Sequence, residues 1–415
     1  MEGSFETDVL VVGAGPGGSA TAYHLARHGI DVTVVEKAAF PREKVCGDGL
    51  TPRSVKAIED MGVDTSDPGF EKVIGLRTHS RRTTISLPWP DLTSFPPYGL
   101  VMPREGFDHL LAQRAVKAGA RLMEQTEAIG PRFVDGYVAG ATVRPAGERD
   151  AEPAEIRARF VIAADGAASR FGKPAGVTRD PKKPLGIAAR RYYRIDYHPG
   201  PWIESWLDLR DGDLLLPGYG WLFPVAGGQI NLGAGLLNTF KDFKQVSAQR
   251  LFDAFSTMLP PEWEINEDTA EGRVLSGPLP MSLNRVPQAV PGMLLIGDAA
   301  GAVNPFNGEG IAYAIETAEM ASELIDEALV KDRPGIAMMY PTVLRERYGD
   351  YFTIGRGFAK LIGHPAIMNR ATRHLLPNPR VMGFAMRLMA NLTDGKDGDR
   401  QDRLFALIER IARAS

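Results

Sequence analysis

The chain has 415 residues, of which 44% are hydrophobic and 24% charged, a composition typical of a globular protein with two or three domains. Its 48 basic and 51 acidic side chains give a formal charge of -3, so no overall positive field attracts nucleic acid. A single cysteine excludes an intrachain disulfide and zinc sites built on several thiolates, and it indicates a reducing compartment.

A strand, a helix and a second strand are predicted in succession at the start of the chain. Residues 8–12 and 31–36 are short runs rich in valine, and residues 19–29 between them have a helical composition. The turn after the first strand, residues 13–18, has the sequence G-x-G-x-x-G. The pattern is weak alone, but its position between a strand and a helix predicts a dinucleotide-binding fold.

Each glycine of this motif has a physical reason. Gly13 permits the tight turn, Gly15 lets the backbone approach a pyrophosphate, and Gly18 allows the helix to pack closely. The N-terminus of the helix supplies free amides and a positive dipole end. Glu36 ends the second strand, where its carboxylate can accept hydrogen bonds from ribose hydroxyls. The spacing predicts dinucleotide binding and leaves NAD and FAD open.

Two later strands are predicted to deliver a carboxylate to the same edge of the sheet. Residues 160–164 and 292–297 are apolar runs, and Asp165 and Asp298 directly follow them. Open α/β sheets bind ligands at the carboxyl ends of their strands, so these carboxylates can hold ribityl hydroxyls. The alternative is that both belong to ordinary turns at the sheet edge.

A glycine-rich loop follows the second of these carboxylates. Residues 301–311 include Gly308, Gly310 and Ile311 and lead into a helix. Its small residues suit a loop that passes close to a flat ring system. A further helix is predicted over residues 103–119, with a glycine as its stop signal.

The remaining segments predict a second domain and a helical C-terminal region. Short, alternating or aromatic-rich runs suggest a sheet domain that is inserted twice into the first. The C-terminal region contains a basic, methionine-rich stretch that either docks on anionic lipid or forms an ordinary solvated helix face, the simpler interpretation. The predicted boundaries are 1–71, 101–180 and 271–330 for the nucleotide-binding domain, 72–100 and 181–270 for the inserted domain, and 331–415 for the helical region.

Three aromatic residues alternate along one predicted strand. Tyr219, Trp221 and Phe223 are spaced by two residues, so their rings lie on one face of a sheet. Such a face belongs either to a hydrophobic core or to the apolar wall of a ligand pocket.

Taken together, the motifs resemble those of a known group. The glycine motif, Glu36 and the two strand-end aspartates are similar to the three FAD motifs of the para-hydroxybenzoate hydroxylase superfamily. Within it, residues 40–52 and the Y-x-W-x-F-P and G-x-G signature over 219–235 resemble the geranylgeranyl reductases, especially bacterial menaquinone reductases. The resemblance implies an α/β fold, in which an FAD-binding Rossmann-like domain of the para-hydroxybenzoate hydroxylase type carries an inserted antiparallel β-sheet substrate domain and a C-terminal helical region.

The resemblance also implies the site residues. Gly13, Gly15 and Asp165 belong to the FAD motifs already described. The further FAD contacts implied are Gly18, Glu36, Cys46, Gly47, Gly49, Arg104, Ala128, Asp298, Gly308, Gly310 and Ile311. In this family Tyr219, Trp221 and Phe223 line the pocket for a prenyl chain. Cys46 is interpreted as a catalytic contact or proton donor beside the flavin, with a buried structural cysteine as the alternative.

The function implied is that of an FAD-dependent reductase. Such an enzyme saturates carbon–carbon double bonds of a polyprenyl substrate, a menaquinone tail or a geranylgeranyl group, by hydride transfer from the reduced flavin. One alternative is a monooxygenase or halogenase on the same scaffold. Those halogenases carry W-x-W-x-I-P where this chain has Tyr219, Trp221 and Phe223, which counts against halogenation. A second alternative is a non-catalytic prenyl-lipid-binding flavoprotein.

The expected cofactor is FAD, and no metal site is expected. The electron donor, NAD(P)H or another reductant such as a redox partner, stays open because no second nucleotide-binding motif occurs in the sequence. The expected partner is a prenylated small molecule or lipid, and nucleic acid is not expected. No targeting signal is recognised at the N-terminus, so the expected location is cytoplasmic, with peripheral contact at the inner face of the cell membrane as an open option.

Overall fold

The computed structural model describes residues 5–80, 83–211, 214–216, 218–240, 243–395 and 398–414. Up to residue 200 its elements are β1 (Phe5–Val12), α1 (Pro16–Arg27), β2 (Val32–Val35), β3 (Gly49–Leu50), α2 (Pro52–Asp60), β4 (Glu71–Val73), β5 (Gly75–Ser80), β6 (Thr83–Pro88), β7 (Gly99–Val101), α3 (Arg104–Ala118), β8 (Arg121–Met123), β9 (Thr126–Val134), β10 (Tyr137–Pro145), β11 (Ala154–Ala163), β12 (Thr178–Arg179) and β13 (Leu185–Arg194). The later elements are β14 (Trp202–Trp206), β15 (Arg210–Asp211), β16 (Leu214–Leu215), β17 (Tyr219–Val225), β18 (Gln229–Leu237), α4 (Ala248–Met258), β19 (Ala270–Pro280), β20 (Arg285–Val286), β21 (Ala289–Val290), β22 (Met293–Leu295), α5 (Gly297–Ala300), α6 (Ile311–Val330), α7 (Tyr340–Ile362), α8 (Pro365–His374), α9 (Pro379–Met389) and α10 (Arg400–Ala414).

The larger sheet has the α/β architecture that the sequence predicts. Strands β22, β11, β1, β2 and β8 run parallel, with β21 at one edge, and β10 and β9 form an antiparallel extension from β11. All of β2 and the carboxyl-terminal halves of β1 and β11 consist mainly of buried apolar residues, as is typical of strands inside a parallel sheet. Helix α1 packs against α3 and α6.

Four of the parallel strands end at the same level. Val12 of β1 pairs with Val35 of β2 and with Ala163 of β11, and Ala163 in turn pairs with Leu295 of β22. The segments that follow these four strands therefore meet at one edge of the sheet. This is the edge at which open α/β sheets bind ligands.

A second sheet has the strand order β19-β13-β18-β17-β14-β5-β6. Its neighbouring strands are antiparallel except for β14 and β5, which run parallel, so the prediction of an antiparallel sheet is corrected at this one pair. Strand β5 joins the sheet from a distant earlier segment, so no hairpin turn constrains its direction. Strand β19 extends the sheet past residue 270, where the inserted domain was predicted to end. The division of the chain into six segments stays a prediction.

The C-terminal helices pack beside the second sheet. Leu376, Met386 and Ala390 from α9 and its flanks are buried together with Leu87 and Trp89 near β6. Helix α10 packs on α7. Within the described ranges, none of the helices combines the length and the hydropathy that crossing a bilayer requires.

Candidate functional site

A large cavity lies between the two sheets and the C-terminal helices, with a volume of about 1330 Å³. Every predicted site residue lines it except Gly18. Gly18 lies beneath the first turn, where a Cβ atom would collide with the carbonyl oxygen of Gly13. Glycine is therefore needed at this position so that α1 can pack closely on the turn, and Gly18 does not contact the cavity.

The glycine turn presents backbone amides to this cavity. Gly13 has a φ of +99°, and a Cβ there would lie 2.6 Å from the carbonyl oxygen of Ala164. Gly15 is the N-cap residue of α1 and Pro16 is the first helical residue, and no side chain caps this helix. The N-terminal amides therefore lack a side-chain acceptor, which is the arrangement that suits an anionic ligand.

Glu36 closes the glycine turn from the end of β2. Its Oε2 accepts a hydrogen bond from the amide of Ala14 at 2.9 Å, and its Oε1 accepts one from the amide of Ala38 at 3.1 Å. The guanidinium of Arg42 lies 3.4 Å from the same carboxylate. Oε2 thus has two donors and Oε1 has one, so Oε1 can accept a further hydrogen bond from a hydroxyl donor in the cavity.

A buried carboxylate that the sequence reasoning missed organises the neighbouring arginines. Asp108 on α3 is fully buried and accepts hydrogen bonds from Nε and Nη2 of Arg104 at 2.6 and 2.8 Å. Arg42 donates to the same carboxylate at 2.9 Å. The i,i+4 spacing of Arg104 and Asp108 could have indicated their pairing, whereas nothing local to the sequence indicates Arg42.

Two acidic groups lie close together on the loop before β3. Burial raises the pKa of the half-buried Cys46 thiol, and the nearby charge of Arg104 opposes that rise. The carboxyl group of Asp48 is buried and accepts hydrogen bonds from the hydroxyl of Tyr192 at 2.5 Å and from Nδ2 of Asn231 at 2.7 Å. Burial raises the pKa of Asp48 to about 6, although both hydrogen bonds oppose the rise.

Asn231 joins this loop to the aromatic strand, and the sequence reasoning missed it. Its Oδ1 accepts a hydrogen bond from Nε1 of Trp221 at 3.0 Å. Its Nδ2 donates to the backbone carbonyl of Cys46 at 2.9 Å, in addition to Asp48. The antiparallel register of β17 and β18 could have indicated this residue, because it pairs Asn231 with Phe223 of the aromatic strand.

Tyr219, Trp221 and Phe223 form an aromatic wall of the cavity. Their ring centroids are 5.9 Å apart between the first two and 6.3 Å apart between the last two. The loop carrying Cys46 packs directly on this wall. A Cβ on Gly47 would lie 3.2 Å from the Phe223 ring, and one on Gly49 would lie 2.9 Å from it. Glycine at both positions therefore allows the loop to approach the rings.

The two strand-end aspartates occupy different environments. Oδ2 of Asp165 accepts hydrogen bonds from the amides of Arg170 and Phe171 at 2.8 and 3.0 Å, while its buried Oδ1 has no partner among the residues that the structure describes. Burial raises the pKa of Asp298, and the charges of Lys44 and then Arg104 oppose the rise. Asp165 therefore retains a buried acceptor for a hydroxyl donor.

The remaining predicted residues lie on opposite sides of the cavity. Ala128 is a half-buried residue of β9. Gly308 has a φ of +81°, Gly310 is the N-cap residue of α6, and Ile311 is its buried first residue. A Cβ on Gly310 would lie 3.1 Å from Oδ1 of Asp298, so the loop before α6 and the end of β22 are in close contact.

The other end of the cavity is apolar and is closed by the C-terminal helices. Met382, Met386 and Met389 of α9 line it, opposite Leu87 and Trp89 from the second sheet. The interpretation of the methionine-rich stretch as a solvated helix face is therefore wrong for the side of α9 that carries these three methionines, because that side faces the cavity. Sequence periodicity identifies an apolar helix face but does not say whether that face meets a core or a cavity.

Comparisons with known proteins agree with this site. A family model described as an FAD binding domain matches residues 6–194. The menaquinone reductase of Mycobacterium tuberculosis is 35% identical over 395 residues, which cover 94% of this chain and 93% of that protein. The digeranylgeranylglycerophospholipid reductase of Thermoplasma volcanium is 31% identical over 347 residues, covering 82% of this chain and 84% of that protein.

Two solved structures show the same fold. A geranylgeranyl bacteriochlorophyll reductase-like protein from Thermoplasma acidophilum has a TM-score of 0.74 at 25% identity, covering 93% of this chain and 100% of that one. The flavin-dependent brominase Bmp2 has a TM-score of 0.74 at 18% identity, covering 99% and 100%, and this likeness concerns the fold alone.

The donors and acceptors around the cavity fit an FAD. The uncapped amides of α1 suit a pyrophosphate, while Glu36 and the unpartnered oxygen of Asp165 suit sugar and ribityl hydroxyls. The sequence similarity to these two reductases covers 94% and 82% of the chain. The chain therefore belongs to the geranylgeranyl reductase and menaquinone reductase family, a family of FAD-dependent oxidoreductases within the para-hydroxybenzoate hydroxylase superfamily.

Proposed function

We propose that the protein reduces isoprenoid carbon–carbon double bonds in a polyprenyl lipid. The observation that carries the proposal is the continuity of a single cavity, which joins a polar, nucleotide-compatible end to an apolar end beyond the aromatic wall. The named activities of the relatives support a prenyl-bearing substrate, with a menaquinone tail or a geranylgeranyl group as the leading candidates.

We propose that FAD occupies the polar end. The N-terminus of α1 receives the pyrophosphate, and Glu36 receives the adenosine ribose. Asp165 and Asp298 are proposed to accept hydrogen bonds from the ribityl chain. The proposed contacts near the flavin ring and along its chain are Gly13, Gly15, Cys46, Gly47, Gly49, Arg104, Ala128, Gly308, Gly310 and Ile311.

When bound at the polar end and reduced, FAD would supply hydride chemistry to the alkene. The residues of the chain hold the alkene and provide the proton that the neighbouring carbon needs. Tyr219, Trp221 and Phe223 present an apolar surface that keeps the double bond out of water. Cys46 is the proposed proton donor, and Arg104 stabilises the thiolate that remains until solvent returns a proton. Each double bond would take up one hydride and one proton, and the two electrons would come from the reduced cofactor.

The electrons come from a donor outside the cavity. We propose NADPH, NADH or a small redox carrier, since the sequence contains one dinucleotide motif and FAD accounts for it. Each donor is supplied under anaerobic conditions, and the bleaching of bound FAD is followed. The donor that bleaches the flavin rapidly identifies the physiological class of electron donor. Rapid bleaching by one donor and slow bleaching by the others is the expected result.

Turnover on defined lipids tests the proposed function. The purified protein is expected to show the visible spectrum of bound FAD and to be bleached by dithionite under anaerobic conditions. Addition of a geranylgeranyl lipid should restore the spectrum and increase the lipid mass by about two hydrogens per bond reduced. Menaquinone should do the same, and it is reoxidised to the quinone before its mass is measured, because reduction of the quinone ring also adds two hydrogens. Because oxygen is absent, this result also excludes hydroxylation. Flavin that stays reduced with every prenyl lipid, or a lipid whose mass is unchanged, would contradict the proposal.

A further inference from the structure

The segment that supplies many side chains to the apolar end of the cavity is rich in cations. The segment 351–393, which contains α8 and α9, has no Asp or Glu. Lys360, Arg370, Arg373 and Arg380 are all exposed in this segment. We refer to these four side chains as the basic rim. Their number and the absence of acids give this surface a strong local positive charge despite the slightly negative charge of the whole chain.

The cations of the basic rim are free of carboxylates. Elsewhere on the surface arginines are paired, as when Arg191 lies 2.6 Å from Glu267 and Arg250 lies 2.6 Å from Asp211. Within the part of the chain that the structure describes, no carboxylate forms an ion pair with any member of the basic rim. Their charge is therefore available to an anionic partner.

An apolar opening lies beside the basic rim. Leu375 and Val381 line the cavity and are also 50% and 39% exposed, so they mark the place where the cavity reaches the surface. Leu361, at the end of α7, is 51% exposed and precedes Ile362, which lines the cavity. Met368 and Met382 continue the apolar lining inward from this opening. Apolar side chains therefore line the cavity both at this opening and further inward.

We propose that the basic rim and the Leu375–Val381 opening dock on the anionic surface of a phospholipid bilayer, so that a prenyl lipid passes from the bilayer directly into the cavity. The proposal rests on the proposed function, because only a lipid substrate requires such a route. Cations around exposed leucine and valine are the chemistry by which helices lie in a bilayer interface. An acidic protein surface would satisfy the charges but would supply no lipid to the opening, so the bilayer is the favoured partner.

Flotation with lipid vesicles tests this docking. Vesicles of phosphatidylcholine alone are compared with vesicles that also contain phosphatidylglycerol. The wild type is compared with R370E/R373E/R380E and with a control of the same net charge, K117E/R149E/R273E, whose cations are exposed on α3, the β10–β11 turn and β19. We expect the wild type and the control to float with the anionic vesicles and the rim variant to lose about tenfold or more of its partitioning.

Three results would overturn the docking proposal. The first is equal partitioning of the wild type to both kinds of vesicle, and the second is equal loss in the rim variant and the control. The third is binding to beads coated with polyglutamate but not to anionic vesicles, which would assign the basic rim to an acidic protein.

A separate assay distinguishes failure of docking from failure of the proposed function. Reduction of a prenyl substrate dispersed in detergent does not require a bilayer, so the rim variant and the control should both keep the wild-type rate. If the wild type reduces no prenyl lipid in detergent, the proposed function fails, while vesicle flotation still decides whether the protein docks.

Discussion

The two ends of the cavity are built in opposite ways. The polar end depends on a few residues whose hydrogen bonds are fixed, such as Glu36 under the glycine turn and Asp108 between two arginines. The apolar end depends on many interchangeable side chains, among them the methionines of α9. A carboxylate must lie within about 3 Å of its donor to form a hydrogen bond, whereas an apolar surface needs only the right volume.

Substitutions should therefore have different effects at the two ends of the cavity. Substitutions at the polar end should remove a whole interaction and affect stability, cofactor retention or chemistry. Substitutions at the apolar end should change which lipid fits while the chemistry continues.

Asp108→Asn should cause the largest loss, because it leaves the buried guanidinium groups of Arg104 and Arg42 without their shared carboxylate. Removing one partner of a buried ion pair costs about 3–5 kcal/mol. Urea unfolding should show this decrease in the free energy of unfolding, and the purified variant should retain less FAD. The matched control is Glu105→Gln on the exposed side of the same helix, which should unfold like the wild type. Equal unfolding midpoints for both variants would contradict the role of Asp108.

Asp48 should make stability depend on pH. Its pKa is about 6 in the folded protein and lower in the unfolded chain, so the folded state holds its proton more tightly. Stability should therefore fall as the pH rises from about 4 to about 6, by on the order of 2–3 kcal/mol from this group. Asp48→Asn should flatten that part of the pH profile in urea unfolding. The exposed Asp135→Asn, on the turn between β9 and β10, should keep the wild-type profile, and a slope that persists in Asp48→Asn would rule out this assignment.

Cys46→Ser should slow the chemistry while leaving binding intact. A positioned general acid contributes about 100-fold or more, so kcat for alkene reduction should fall by about that factor. The KM for the lipid and the visible spectrum of bound FAD should stay close to those of the wild type, since serine has nearly the same shape. Single-turnover reoxidation of the reduced flavin measures the step directly. A wild-type rate in this variant would assign the proton to another group.

Ala385→Trp should change lipid choice and leave the reaction in place. Ala385 lines the apolar end from α9, so an indole there takes up space that a long chain needs. We expect kcat/KM to fall about tenfold for the longest prenyl lipid and to change little for a short one. Gly383→Ala on the same helix adds a methyl group that meets no atom within 4 Å, and it should leave both values unchanged. Equal losses for long and short lipids would show that this part of α9 supports the fold and does not select lipids by chain length.

The polar end was largely predictable because its signals are local. The glycine motif and Glu36 belong to one continuous strand, helix and strand, and neighbouring residues set the turn geometry there. Asp108 was not found, because an aspartate four residues after an arginine is also typical of an exposed helix. Only the tertiary fold brings Arg42 to the same carboxylate.

The apolar end could not be predicted beyond its composition. The pattern of α9 indicates one apolar face, but whether that face meets solvent, a core or a cavity depends on the second sheet. Asn231 was missed for a related reason, because its hydrogen bond to Trp221 follows from the β17–β18 register and its bond to Asp48 from long-range packing.

The contact of Gly47 and Gly49 with the Phe223 ring has a practical meaning for chimaeras between relatives. The two segments are far apart in the sequence and look like modules that can be exchanged one at a time. In three dimensions they share a single interface with no room for an added methyl group at residue 49. A graft of the aromatic strand should therefore succeed only when the glycine loop of the same parent is transferred with it.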